Sequence, residues 1–350
     1  MLFNAEAACD QDWPMWRDFV SFHVQADGRV VDYDSDAITT SEGQSYAMFF
    51  ALASGDRVQF EQLLIWTVNN LAKGDLRKNL PAWKWGRDKK GKWGILDTNS
   101  ASDSDLWIAY TLLQAARIWK EPQYRQLGLS MLQNIEIQEV IEIPGLGAML
   151  IPGPKGYSLG FETWRLNPSY LPIQLLRYFS NLEGHERWAE IARNTNDMIL
   201  TKRDSGLIPD WMLYQARKGF YPDKKMGKYS SYDSIRVYLW WAMLDQRDPY
   251  FQSIGSVLRK ARHYSKDAVL PEKIDVEKGG AVGYASPGFV AVITAYQAVM
   301  FSKSYEVAER LDSKLGYYNQ VLSLFSYGWL ENRFRFDLGG NLTLFQCASE

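Results

Sequence analysis

The sequence predicts an all-α fold in which an inner ring of buried helices is enclosed by an outer ring of amphipathic ones. Three observations carry this expectation. Apolar residues recur at intervals of three and four along most of the chain, the spacing of one helical face. Some segments so marked are apolar nearly all round, notably Leu106 to Trp119 and Ile235 to Leu244, whereas others, such as 185–201, keep a polar face; helices apolar on every side belong in the interior. No Ser/Gly linker, low-complexity tract or shift of composition marks a boundary, so residues 1–350 read as a single domain, which 46% hydrophobic residues can fill.

At the start, MLFNAEAAC places Ala5-Glu6-Ala7 in the small-residue pattern of a signal cleavage site with no apolar run before it. Residues 1–8 are therefore expected to be the remnant of an export signal, and the protein to be periplasmic or secreted. Helices are then expected near 12–23, 41–54, 57–72, 102–119, 122–136, 168–180, 185–201, 231–245, 249–264, 287–301, 304–314 and 317–332. In the second of these, Tyr46, Phe49, Phe50 and Ala53 share a face ahead of a Gly55-Asp56 stop, and Ser41 with Gln44 has the form of a capping box. Glu42 falls in its first turn, where an acid complements the helix dipole. Ser102 can cap the 102–119 helix, with Asp103 and Asp105 in the first turn. The stretch 139–151, with Pro-Gly and Gly turns, reads as a strand-like decoration on the face formed by the helix mouths. In SSYDSIRVYLWWAML, 230–244, serines again precede an acid, Asp233, with Arg236 three residues on and placed for an ion pair.

The net charge of -2 and the lack of a basic block exclude a nucleic-acid partner held by phosphate neutralisation. No apolar run reaches membrane-spanning length, so no embedding in a membrane is expected. The aromatic load is high, 14 Trp, 20 Tyr and 16 Phe. Most must be core, but an excess of Trp also suits a ligand with flat apolar faces and polar edges, such as a sugar chain. Cys9 and Cys347 lie near opposite ends. A bridge between them would pin both tails in an oxidising compartment, and two free thiols fit the sequence equally.

Three buried helices that each present a carboxylate at the N-terminal mouth imply one acidic cleft. Magnesium-assisted phosphate chemistry would want basic groups to receive the phosphates, and none cluster. His23, His185 and His263 are isolated, which leaves neither a zinc site nor a histidine-based triad. Glycoside hydrolysis, which uses one protonated and one ionised carboxyl across the scissile bond, fits best.

ASDSDLWIAYTLLQAARIW, residues 101–119, resembles the signature of the family-eight glycoside hydrolases: Ala, Ser/Thr, Asp, a small residue, Asp, then an apolar helix with Ala and a closing Trp. TTSEGQSYAMFFAL, NPSYL and SSYDSIRVYLW resemble other blocks of that family. LPAWKWG, PGLGAMLIPG and GWLENRFRF look like the subgroup of bacterial endo-β-1,4-glucanases encoded with cellulose synthase. Ser104 stands where the family prefers Gly or Ala, and Thr111 where it prefers Ser or Ala.

The resemblance implies an (α/α)6 barrel, an inverting endoglucanase without cofactor or metal, a β-1,4-glucan chain as partner, and the cellulose synthase and export machinery as a further one. By matching motif, Glu42 is the expected general acid, Asp233 the general base, Asp103 a carboxylate that binds the sugar at the cleavage point, and Tyr170 a holder of the attacking water. Trp83, Trp85 and Trp93, in a turn-rich charged stretch, are expected sugar platforms, with Trp164 and Trp211 weaker candidates and Tyr232 and Arg236 beside the base. Two alternatives stay open: a non-catalytic glucan-binding or secretion-assisting subunit on the same fold, and a family member acting on xylan or chitosan.

Overall fold

The computed structural model describes residues 12–265 and 269–344. The described chain forms α1 (Pro14–His23), α2 (Ser41–Ala53), α3 (Arg57–Asn70), α4 (Ser102–Trp119), α5 (Pro122–Gln138), α6 (Ile173–Ser180), α7 (Arg187–Leu200), α8 (Ile235–Ala242), α9 (Pro249–Leu258), α10 (Pro287–Phe301) and α11 (Tyr317–Leu330). They build an (α/α)6 barrel. Helices α2, α4, α6, α8, α10 and α11 form the inner ring; α3, α5, α7, α9 and α1 lie outside.

Burial explains the sorting. Every residue of α8 is buried, and α4 is buried without a break from Ser102 to Ala115. Outer α7 buries Trp188, Ile191, Ala192, Thr195 and Ile199 on one face and gives the other to water. The centre is aromatic: Trp107 of α4 meets Tyr46 and Phe49 of α2, Trp240 of α8 and Phe325 of α11 at ring-centroid distances of 5.0–5.9 Å. Such contacts favour edge-to-face geometry and bind four inner helices into one block.

Connections from an outer helix to the next inner one are long and carry short antiparallel strands. They include Lys84–Arg87 with Trp93–Asp97, Val140–Ile143 with Gly147–Leu150, Thr163–Leu166 with Met212–Gln215 and Gly219–Pro222, and Tyr229–Ser230 with Lys273–Asp275. These lie where the inner helices begin. One hairpin differs from the expectation that strands decorate the cleft face: Phe334–Phe336 with Leu342–Leu344 follows the C-terminus of α11 and plugs the other end, its Phe334 ring 5.0 Å from Phe49.

Several helix expectations are corrected. Residues 304–314 are not helical: Ser302 takes φ 51 to end α10, and Asp18 of α1 accepts from the Arg310 guanidinium and the Leu311 amide, holding this segment extended in the place of a sixth outer helix. The 168–180 segment splits, because Pro172 disfavours helix at Leu171; a single 3-10 turn, Pro168–Tyr170, precedes α6. The 231–245 helix starts only at Ile235, and the 249–264 helix ends at Leu258 before a 3-10 turn, Arg262–Tyr264. Cys9, Cys347 and the 1–8 remnant fall outside the described residues.

Candidate active site

The inner helices present their N-termini to one side, and α2, α4 and α8 bring Glu42, Asp103 and Asp233 to a common point. The local reasons differ from those the sequence suggests. At α2 the cap is Thr40, whose hydroxyl oxygen accepts from the Gly43 amide, not Ser41. Gln44 does not reach back to close a capping box. Fully buried, it accepts from the Val30 amide at 2.7 Å and donates to the Gly28 carbonyl and the Thr67 hydroxyl, fastening α2 to the N-terminal loop and α3. At α4, Ala101 takes the cap position without a side-chain bond, and Ser102 lies inside the helix. At α8 the serines do not cap. Asp210, distant in sequence, accepts from the amides of Ser231 and Ser234 and from the Ser231 hydroxyl, folding 231–234 into a turn that carries Asp233 just before the helix.

Arg236 organises the point where these meet. Its side chain is 3% exposed. Nη1 donates to Glu42 Oε2 at 2.6 Å, to the Tyr46 hydroxyl at 2.9 Å and to Asp103 Oδ2 at 3.3 Å. Nη2 donates to Asp233 Oδ1 at 2.8 Å and to the Ser169 hydroxyl at 3.1 Å. A planar fork with fixed donors can hold two acids on separate nitrogens, which a lysine cannot. Asp103 is fixed further by the Ser104 amide at 2.7 Å, and the Tyr317 hydroxyl of α11 reaches Glu42 Oε1 at 3.4 Å. The Tyr170 ring lies 5.8 Å from the guanidinium carbon, and Trp240 Nε1 donates to the Ser169 carbonyl, holding that turn against α8.

One guanidinium cannot neutralise three carboxylates, so the cluster retains protons. Burial, then the charges of Asp103 and Asp233, raise Glu42 to about 7 against the pull of Arg236. Asp103 is raised by burial as well. Arg236 makes the expected ion pair with Asp233, but burial outweighs the arginine, with Asp210 and Asp103 adding, and the pKa of Asp233 stands at about 6. Glu42 is thus the more readily protonated of the flanking pair.

The aromatic candidates divide. Trp83 sits at the mouth: its carbonyl accepts from the Ser41 amide, and its own amide donates to Asn99. Trp85 and Trp93 stack on each other at 5.1 Å, with the Arg29 guanidinium 4.5 Å and 4.6 Å from their ring centres and Trp66 edge-on to Trp85. Trp211 lies 6.0 Å from Tyr170 and stacks parallel to Tyr157, which joins it to the site. Trp164 is half-buried on the strand Thr163–Leu166, and no contact with the carboxylates places it there. Tyr232, half exposed, donates to Glu272 at 2.6 Å and packs on Phe289. Sequence reasoning missed Tyr46, Ser169, Tyr317 and Asp210. Tyr46, four residues after Glu42 on the same face, and Ser169, inside the Asn-Pro-Ser-Tyr block, carried a local signal; Tyr317 and Asp210 carried none.

Comparison with known proteins follows the same lines. The profile of "Glycosyl hydrolases family 8" matches residues 1–332. The chain is 43% identical over 344 residues to "Endoglucanase" of Salmonella typhi, with 97% of this chain and 92% of that protein covered. It is 41% identical over 348 residues to "Endoglucanase" of Escherichia coli (strain K12), again with 97% and 92% covered. Among solved structures, the endo-1,4-D-glucanase from Vibrio fischeri ES114 superposes with a TM-score of 0.87 at 37% identity, covering 95% of this chain and 99% of that one.

Proposed function

Since the chain belongs to the glycosyl hydrolases of family 8, we propose that this glycoside hydrolase is an endo-β-1,4-glucanase acting with inversion, in the periplasm or outside the cell, on glucan made by a cellulose synthase. The observation that carries the mechanism is the single guanidinium of Arg236 holding Glu42 and Asp233 on different nitrogens. Those bonds set the two carboxyl groups on opposite prongs of one fork, and inversion needs a separation of about 6.5 to 9.5 Å, which admits a water under the anomeric carbon.

In this mechanism Glu42 donates its proton to the glycosidic oxygen as the bond from that oxygen to the anomeric carbon breaks. Water attacks the same carbon from the opposite face and gives a proton to Asp233. Asp103 accepts hydrogen bonds from the sugar at the cleavage point, and Tyr170, kept neutral because burial lifts its pKa well above the usual value, helps hold the water. Trp83 and Trp211 flank this point as sugar platforms, with Trp85 and Trp93 farther out. The endoglucanase names of the relatives support the substrate class.

The test is proton NMR of cellopentaose during hydrolysis, read before mutarotation, with Glu42→Gln alongside. An early α-anomer that the variant fails to produce is the expected result. An early β-anomer overturns inversion, and unimpaired cleavage by the variant overturns the assignment of the acid.

A further inference from the structure

Behind the cleft lies a second pair of acids that the reaction does not use. Asp105 stands one turn into α4, two residues past Asp103, and Glu139 follows the last residue of α5; both are 0% exposed. Neither oxygen of Asp105, nor Oε2 of Glu139, meets an N–H or hydroxyl donor. The group that acts on Asp105 is instead the Glu139 carboxyl, and Asp105 acts on Glu139 in turn. Ionised carboxylates only accept, so two buried carboxyls with no donor for these oxygens can pair only if one of them keeps a proton.

The surroundings offer no other way to carry the charge. Ser100 donates its hydroxyl to Glu139 Oε1 at 2.6 Å. The charged groups acting on the pair are its own two members and Asp103, all acidic, with Tyr157 beside Glu139 and no cation opposing them among the described residues. Buried charge without a counterion is more costly than a retained proton.

The backbone around the pair is what starts α4. The Ile151 amide donates to the Glu139 carbonyl at 2.8 Å, the Ser102 amide to the Pro152 carbonyl at 3.0 Å, and the Asp105 amide to the Ala101 carbonyl at 3.0 Å. Glu139, Ser100 and Asp105 therefore tie the end of α5 and the Val140–Leu150 hairpin to the turn on which Asp103 stands.

We propose that Asp105 and Glu139 form a buried acid pair that holds at least one proton at neutral pH, and that loss of this proton sets the alkaline limit of the α4 mouth. They are positioning residues, acting on the cleft only through that turn. In the unfolded chain both acids ionise above about pH 4. In the folded chain the shift is upward, with Glu139 raised to about 8 mainly by burial. The folded state then binds more protons than the unfolded one, so the pair costs stability increasingly as pH rises from about 4 to about 8.

The test counts protons, so it does not depend on what the enzyme hydrolyses. At pH 8, where Glu42 and Asp233 are largely ionised, proton release on denaturant unfolding is measured for the parent and for Asp105→Asn/Glu139→Gln. This variant keeps both shapes and replaces the shared proton with amide donors. The parent is expected to release about one proton more than the variant. The variant's thermal midpoint should also fall less between pH 6 and 9. Equal release by the two proteins, or an unchanged slope of the midpoint with pH, would sink the proposal. Should the variant fail to fold, release by the parent alone decides: clearly less than one proton at pH 8 overturns it.

Discussion

Arg236 makes the cleft a coupled unit. Because it touches Glu42, Asp103 and Asp233 at once, no one of these acids titrates alone, and the activity limits belong to the cluster. In the proposed mechanism the working form has Glu42 protonated and Asp233 ionised. As pH falls through about 6 Asp233 gains a proton, and as it rises through about 7 Glu42 loses one, so kcat/KM should peak narrowly between those values. Initial rates on cellopentaose across pH 4 to 9 check this; a flat profile above pH 8 would contradict the acid. Arg236→Lys keeps a charge but cannot hold two carboxylates on separate nitrogens. It should lower kcat by at least about 100-fold and cost about 3 kcal/mol of stability, by urea unfolding, because buried acids are left without a partner.

At the scale of elements, the extended segment after α10 shows how a tertiary contact overrides a helical pattern. Asp18 is buried on α1 and receives three donors from Arg310 and Leu311, which hold its pKa below the ordinary range despite burial. Its sign is opposite to that of the cleft acids: the stabilisation is present above about pH 4 and is lost as pH falls through the lower folded value. Asp18→Ala should remove about 1–3 kcal/mol by orphaning the buried Leu311 amide, and should open this segment to proteolysis before the barrel. Cleavage mapped by mass spectrometry checks the order; first cuts elsewhere would show that Asp18 is not what fastens it.

For the molecule as a whole, six inner helices direct their mouths to one face while the loops that enter them build its rim. The formal charge of -2 on 350 residues gives no long-range field to steer a substrate. The cleft acids are answered within the barrel by Arg236, where bulk salt screens little. For a neutral glucan, kcat/KM should therefore change less than about twofold between about 20 mM and about 0.5 M salt, measured on cellopentaose. A steep fall would point to a charged substrate instead.

What the sequence determined by itself is the helical ring and the identity of the acids at its mouths. Helical spacing is local, and all-round apolarity in 106–119 and 235–244 suffices to mark inner helices because exposing them would cost too much. Glu42, Asp103 and Asp233 were legible as acids beside buried helices for the same reason. Tertiary structure alone decided how those helices start and what the acids do once there. Thr40 caps α2 in place of Ser41, Gln44 leaves the expected capping box for Thr67, and Asp210 holds the turn before α8 from up to 24 residues away. The protonation of Glu42, Asp233 and the Asp105–Glu139 pair follows from burial and from charges on other helices, and such distances exist only after the barrel has closed.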